Sequence, residues 1–218
     1  MSKCLAVSNQ KGGCGKSTTA INLCGALAGQ DKAVLLVDAD PQRSVMRWRE
    51  MASGPDVAFQ VVSIPSPSLH REINGLAKKF DYVVIDTPPG GPAGVENITR
   101  SALMAVELVI VPIQPSPFDI WSGEDMAALI LKAQEANSDL KARLLVSRKI
   151  GNTSLGKQLR EALVSFGIPV LKTEISQRIA LAEAAVAGQT IFEYAPSSAA
   201  CSEFESLTKE VLACLKRS

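Results

Sequence analysis

Apolar residues fall along this chain in short unbroken runs, each closed by a polar residue, a glycine or a proline. The runs Cys4–Ser8, Ala33–Val37, Val57–Ser63, Tyr82–Ile85, Leu108–Ile113, Ala142–Ser147 and Val170–Thr173 are mostly continuous and show little polar/apolar alternation. Such runs predict strands buried on both faces, as in a parallel sheet covered by helices. Helix-like segments fill the intervals, near 16–29, 43–52, 68–79, 93–105, 120–136, 154–166, 178–187 and 200–216. Pro55, Pro65, Pro67, the Pro88–Pro92 stretch and Pro115–Pro117 punctuate the boundaries. The alternation predicts an α/β fold: a doubly wound, mostly parallel sheet with helices on both faces and a ligand at the carboxyl ends of its strands. No repeat, low-complexity tract or linker breaks the pattern. With 218 residues, 46% of them hydrophobic, one domain over 1–218 is expected.

Composition narrows the class. A charged fraction of 21% is too moderate for a disordered chain. No apolar run approaches the roughly 20 residues of a bilayer span. The opening MSKCLAVSNQKGG is too briefly apolar for a signal peptide, so the cytoplasm is the expected compartment. Five scattered cysteines without a C-x-x-C pair, and a single histidine, argue against a zinc site and a disulfide framework. Cys4, Cys24 and Cys214 read as small buried hydrophobes. The net charge of +1 is unevenly spread: −3 over residues 1–140 and +4 over 141–218. A polyanion surface, if present, should draw on the C-terminal third.

The strongest chemical signal is Lys11-Gly12-Gly13-Cys14-Gly15-Lys16-Ser17-Thr18, placed between the first strand and the first helix. That is the setting of a phosphate-binding P-loop. Glycines let backbone N–H groups converge on phosphate oxygens, and the helix adds free N–H groups and a positive dipole end. Lys16 supplies a charge for the β and γ phosphates of ATP, and Ser17 a hydroxyl for Mg²⁺. Cys14, beside two lysines at a helix N-terminus, is expected to be a low-pKa thiol that MgATP shields.

Two acidic segments follow. Asp38-Ala39-Asp40-Pro41-Gln42 closes the second strand, where carboxylates can hold Mg²⁺ through water, orient an attacking water, or cap the next helix. Asp81-Tyr82-Val83-Val84-Ile85-Asp86-Thr87-Pro88-Pro89 is a buried strand ending in an acid, the Walker B arrangement, with Asp86 acting on Mg²⁺. The glycines and prolines at 88–94 suit a loop that changes shape with the γ-phosphate.

Gln10 stands where the general P-loop pattern has glycine, and a second lysine, Lys11, follows it. This KGGxGK[ST] form, with the DxDPQ and DxPP segments, resembles the ParA/MinD family of ATPases nearly end to end, most like its short plasmid-partition members. The resemblance implies a Mg²⁺-dependent ATPase that forms a homodimer when ATP-bound. It implies that Lys11 reaches across the dimer to its partner's ATP, that Asp40 positions the attacking water and that Asp38 is a switch residue near the metal. Arg148, in Ser147-Arg148-Lys149, falls where relatives carry Asn-Arg near the base. Pro115-Ser116-Pro117-Phe118-Asp119 resembles a segment packed near the dimer interface, with an ordinary loop as the alternative. Lys172, Gln177 and Arg178 fall where relatives place DNA-contacting basic residues, although Gln177 and Ala180 replace common arginines. A solvated face is the alternative there.

The implied partners are non-specific DNA and a small ParB-like or other adaptor protein that stimulates hydrolysis, at a nucleoid-associated site. A membrane-surface switch of the MinD kind would need an amphipathic C-terminal helix. Phe204, Leu207, Val211, Leu212 and Leu215 form a stripe, but Glu203, Glu205 and Glu210 interrupt the cationic face. Core packing, with no stable membrane association, is expected. A redox or metal-assembly ATPase would need interfacial cysteines, and none lies between the Walker B segment and Cys201.

Overall fold

Most of the apolar runs form strands buried on both faces, and the outer strands at either end of the sheet are only partly covered. In a computed structural model, which describes residues 2–52, 58–91, 93–151, 163–164 and 166–216, the strands are β1 (Lys3–Val7), β2 (Val34–Asp38), β3 (Gln60–Ser63), β4 (Tyr82–Asp86), β5 (Leu108–Ile113), β6 (Lys141–Lys149) and β7 (Val170–Ser176). They make one sheet in the order β3-β2-β4-β1-β5-β6-β7, and every neighbouring pair is parallel. Successive strand residues point to opposite faces. Leu5 and Val7 join one core cluster while Ala6 joins the other, and Val34 and Leu36 separate likewise from Leu35 and Val37.

Helices cover both faces. On one lie α1 (Lys16–Ala28), α2 (Ser44–Met51), α6 (Ile179–Val186), α7 (Ile191–Tyr194) and α8 (Ala199–Lys216). On the other lie α3 (Leu69–Ala77), α4 (Ala93–Ala105) and α5 (Pro117–Ala136). The helix expected over 154–166 falls largely outside the described residues. Phe204, Leu207, Val211 and Leu215 of α8 are buried in the core, so the C-terminal stripe packs against the sheet. Cys24 is buried, and Cys4 and Cys214 are half-buried against the two clusters. No helix among the described residues is long and apolar enough to cross a membrane.

Several boundaries differ from the sequence reading: β3 begins only at Gln60, β6 runs on to Lys149 and β7 to Ser176. The Pro115–Asp119 segment does not stay a loop: α5 begins at Pro117, so Asp119 sits in its first turn. Proline at N1 fits a helix start, because its missing N–H would have had no partner there. The short helix α7 was not expected, yet Thr190-Ile191-Phe192-Glu193 spells a capping box. The Thr190 hydroxyl accepts from Glu193 N, and the Glu193 carboxylate accepts from Thr190 N at 2.7 Å.

Candidate nucleotide site

The carboxyl ends of β1, β2, β4, β5 and β6 bring polar residues to one edge of the sheet, where a doubly wound fold opens its crevice. A cleft of about 820 Å³ lies there, lined in part by Gly13, Gly15, Lys16, Ser17, Thr18 and Asp40. The phosphate loop turns out of β1 through Gly13 at φ +76° and Gly15 at φ +96°. A side chain at Gly15 would be strained, and its Cβ would also stand 2.8 Å from Ser147 Oγ. A Cβ at Gly12 or Gly13 would meet no atom of the described residues within 4 Å.

Lys16 opens α1, is nearly buried, and donates to Lys11 O at 2.9 Å. Ser17 Oγ donates to Asp86 Oδ2 at 2.6 Å. Asp86 ends β4, and its other oxygen, Oδ1, is buried with no hydrogen-bond partner among the described residues. Burial pushes the Asp86 carboxyl up to about 7. Asp38 and Asp40 push the same way, against the Ser17 hydroxyl and the Lys16 ammonium. A buried carboxylate oxygen without a partner beside a serine hydroxyl is the kind of oxygen donor pair a hard divalent cation takes.

Asp38 pairs in register with Asp86 across β2 and β4. Its oxygens accept from Asp40 N at 3.1 Å and Met46 N at 2.9 Å. Asp38 therefore caps the first turn of α2 while lying beside the Asp86 carboxylate, and burial pushes its carboxyl up. Asp40 Oδ1 accepts from Gln42 N at 2.8 Å, and the residue lines the cleft.

Lys11 is the loop's second cation. Its ammonium is 2.5 Å from Asp119 Oδ2. Arg148 stands at φ +52°, where the β6–β7 register is interrupted between Val146 and Lys149, and its Nη1 donates to Gly13 O at 2.8 Å. The irregularity aims Arg148 back at the phosphate loop. Cys14 departs from expectation: it is fully buried, its Sγ contacts Lys11 O at 3.3 Å, and burial pushes its pKa up against the pull of Lys16. The desolvation cost of a thiolate there outweighs the helix end and the lysines.

Arg178 shares the cleft with the phosphate loop, and Lys172 does not line it. Arg178 lines the far side of the cleft and pairs with Glu203 of α8 at 2.6 Å. Lys172 is an exposed β7 residue whose backbone N donates to Glu210 at 2.7 Å. The structure thus gathers Lys11 through Thr18, Asp38, Asp40, Asp86 and Arg148 around the loop, sets Arg178 in the same cleft and leaves Lys172 outside it. Sequence reading missed Gln114, whose Nε2 donates to Gly13 O at 2.8 Å, and Asn9, whose side chain ties Lys11 N to Pro112 O. Their signal was position: each is a polar residue just past the carboxyl end of a buried strand.

The family model for the CobQ/CobB/MinD/ParA nucleotide binding domain matches residues 5–191. The chain is 31% identical over 243 aligned positions to the chromosome-partitioning ATPase Soj of Thermus thermophilus, covering 96% of this chain and 95% of that one. It is 29% identical over 210 positions to the maintenance of carboxysome distribution protein A of Halothiobacillus neapolitanus, covering 95% of each. Its fold matches the septum site-determining protein MinD of Pyrococcus horikoshii, solved with Mg-ADP, at a TM-score of 0.76 and 20% identity, covering 98% of each chain.

Proposed function

This chain belongs to the CobQ/CobB/MinD/ParA nucleotide binding domain family, and from that premise we propose that it is a positioning ATPase that pairs with a second copy when it holds MgATP. The observation that carries the reading is the buried, unpartnered Asp86 oxygen beside Ser17, at the mouth of a loop bearing two lysines. The loop amides and Lys16 hold the β and γ phosphates, for which Lys16 must leave Lys11 O. Ser17 and Asp86 would hold Mg²⁺, which offsets charge on the phosphate oxygens. Asp40, braced by Gln42 N, orients water toward the γ-phosphate. Arg148, which donates to Gly13 O from its irregular β6 turn, serves the nucleotide from the phosphate-loop side of the cleft.

Lys11 acts on the partner's nucleotide. Two ATP molecules facing across an interface need countercharges, and each subunit supplies one in trans. The paired form holds DNA without sequence preference through phosphate contacts, and an adaptor protein raises turnover. Support for a positioning role comes from the chain's similarity to a chromosome-partitioning ATPase and to a protein that maintains carboxysome distribution.

The test is a mixed dimer. A Lys11→Ala subunit keeps Lys16 and can bind ATP; a Lys16→Ala subunit keeps Lys11 and can reach across. Each homodimer should be inactive and the mixture active. A crosslinked mixed dimer as inactive as both parents would remove the trans role. Retention of DNA by the ATP-bound protein alone, lost at high salt, tests the second half of the reading.

A further inference from the structure

Lys11 is fixed at several points. Its N–H donates to Asn9 Oδ1 at 3.1 Å, and its carbonyl accepts from Lys16 Nζ and Cys14 Sγ. Its ammonium is bound to Asp119. The two sides of that pair differ: the lysine side chain is 32% exposed and the carboxylate side chain 1%. The carboxylate is part of the interior, and the lysine reaches in to it from the rim. Topology explains the meeting, because β5 runs beside β1 and α5 starts just after β5.

We propose that Asp119 is a positioning residue that holds Lys11 within its own subunit until nucleotide draws two copies together, so that its grip sets the ATP concentration at which they pair. This inference rests on the trans reading of Lys11. An ammonium bound to Asp119 cannot at the same time serve a neighbour's phosphate, so pairing requires the ion pair to open. Opening leaves a buried carboxylate without its cation, which opposes release. The opposition is limited, because Asp119 lies in the first turn of α5, where the helix dipole favours an anion. The geometry therefore makes a latch that can open, and the phosphates of the facing nucleotide compete with Asp119 for one ammonium. Without the latch, a free cation on the rim would be available for pairing at any nucleotide level.

Asp119→Asn keeps the shape and one acceptor oxygen and removes the charge. Two readouts are needed. The first is acylation of Lys11 in nucleotide-free protein, followed residue by residue by mass spectrometry. An amine held on a buried carboxylate is masked, so Asp119→Asn should speed labelling of Lys11 severalfold and leave Lys3 and Lys16 unchanged. The second is the ATP concentration for half-maximal dimerisation, measured by sedimentation, which should fall by about fivefold, the upper scale of one partly exposed ion pair. A merely structural role for Asp119 would lower thermal stability and raise that concentration. Unchanged Lys11 labelling overturns the latch. Faster labelling with an unchanged or higher ATP requirement also overturns it, since the grip then does not govern pairing. The mixed-dimer experiment judges the trans role separately, so a failed latch and a failed trans reading give different patterns. Should the asparagine variant not fold, Asp119→Ser carries the same two expectations.

Discussion

At the carboxyl end of β4, Asp86 keeps a buried oxygen without a partner, while on the outer edge of the sheet the glutamates of α8 are used several times over. Glu203 accepts from Ser176 N, Ser176 Oγ and Arg178. Glu210 accepts from Lys172 N and Thr173 N. Lys149 and Glu174 pair at 2.5 Å between them. Among the described residues the outer strand β7 has a strand neighbour on one side only, and carboxylates from α8 take up N–H groups on its other side. Both regions are rich in charge, but the α8 carboxylates at the edge are settled at rest and the Asp86 carboxylate at the crevice is not. Lys16 rests on a backbone carbonyl and Asp86 is pushed toward neutrality. A site built for a charged ligand holds its groups at a cost that the ligand removes; a structural edge has no such reserve.

The largest test of that contrast is the cost itself. Asp86 in the folded protein has a pKa near 7 against an ordinary 3.8. Between those values the folded state binds more protons than the unfolded state, so stability falls as pH rises through the window. Above it the full penalty is present; below it none is. Asp86→Asn keeps an acceptor for Ser17 and removes the charge. In nucleotide-free, metal-free protein it should raise stability by a few kcal/mol at pH 8, with the gain shrinking toward zero near pH 4. Urea unfolding at the two pH values measures this. The same variant should lose Mg²⁺-dependent turnover. A gain that is equal at both pH values would mean that Asp86 carries no such reserve.

Next in size is Lys16→Ala. A charge-assisted contact to phosphate is worth about 1.5–3 kcal/mol and more where water is excluded. ATP affinity should drop by about a hundredfold and ATP-dependent dimerisation should vanish, as read by calorimetry and sedimentation. Unchanged affinity would place the phosphates elsewhere. Asp40→Ala should separate the steps. Turnover should fall by about a hundredfold, within the range for a positioned acid–base group, while ATP affinity stays within about threefold and the dimer accumulates. Normal turnover would remove Asp40 from the chemistry.

The crevice was legible in the sequence and the outer edge was not, for a physical reason. A phosphate loop is local: glycines, a lysine and a hydroxyl within eight residues dictate the turn and its chemistry together, and Asp86 is announced by the buried strand before it. Continuous apolar runs likewise announce a sheet covered on both faces. The pairing of Arg178 with Glu203 joins residues 25 apart, and that of Lys11 with Asp119 residues 108 apart. No local spacing announces either. Cys14 shows the opposite failure. Its neighbours in sequence predict a reactive thiol, but its fully buried position, which only tertiary packing decides, reverses the shift. The capping box at Thr190–Glu193 was written locally and still passed unread, because a four-residue helix gives no apolar period to draw attention to it.

The smallest expected effect lies on the settled edge and decides whether that edge also serves DNA. Arg178 is half-exposed and held by Glu203. Burial works against the Glu203 charge, but donors from Arg178 and Ser176 outweigh it and leave the carboxyl below its usual range. Glu203→Gln keeps an acceptor oxygen for Ser176 N and releases most of the hold on Arg178. Stability should change by no more than about 1 kcal/mol, as for other partly exposed ion pairs. If Arg178 contacts DNA phosphate, the freed guanidinium should strengthen ATP-dependent retention a fewfold for every sequence alike. It should also steepen the slope of log affinity against log salt by about 0.9 for the one added contact. Arg178→Ala should do the reverse. Filter binding across a salt series reads both variants. If neither moves the slope while Arg178→Ala weakens nucleotide binding, then Arg178 serves the cleft it lines, and the phosphate contacts must come from elsewhere on the paired protein.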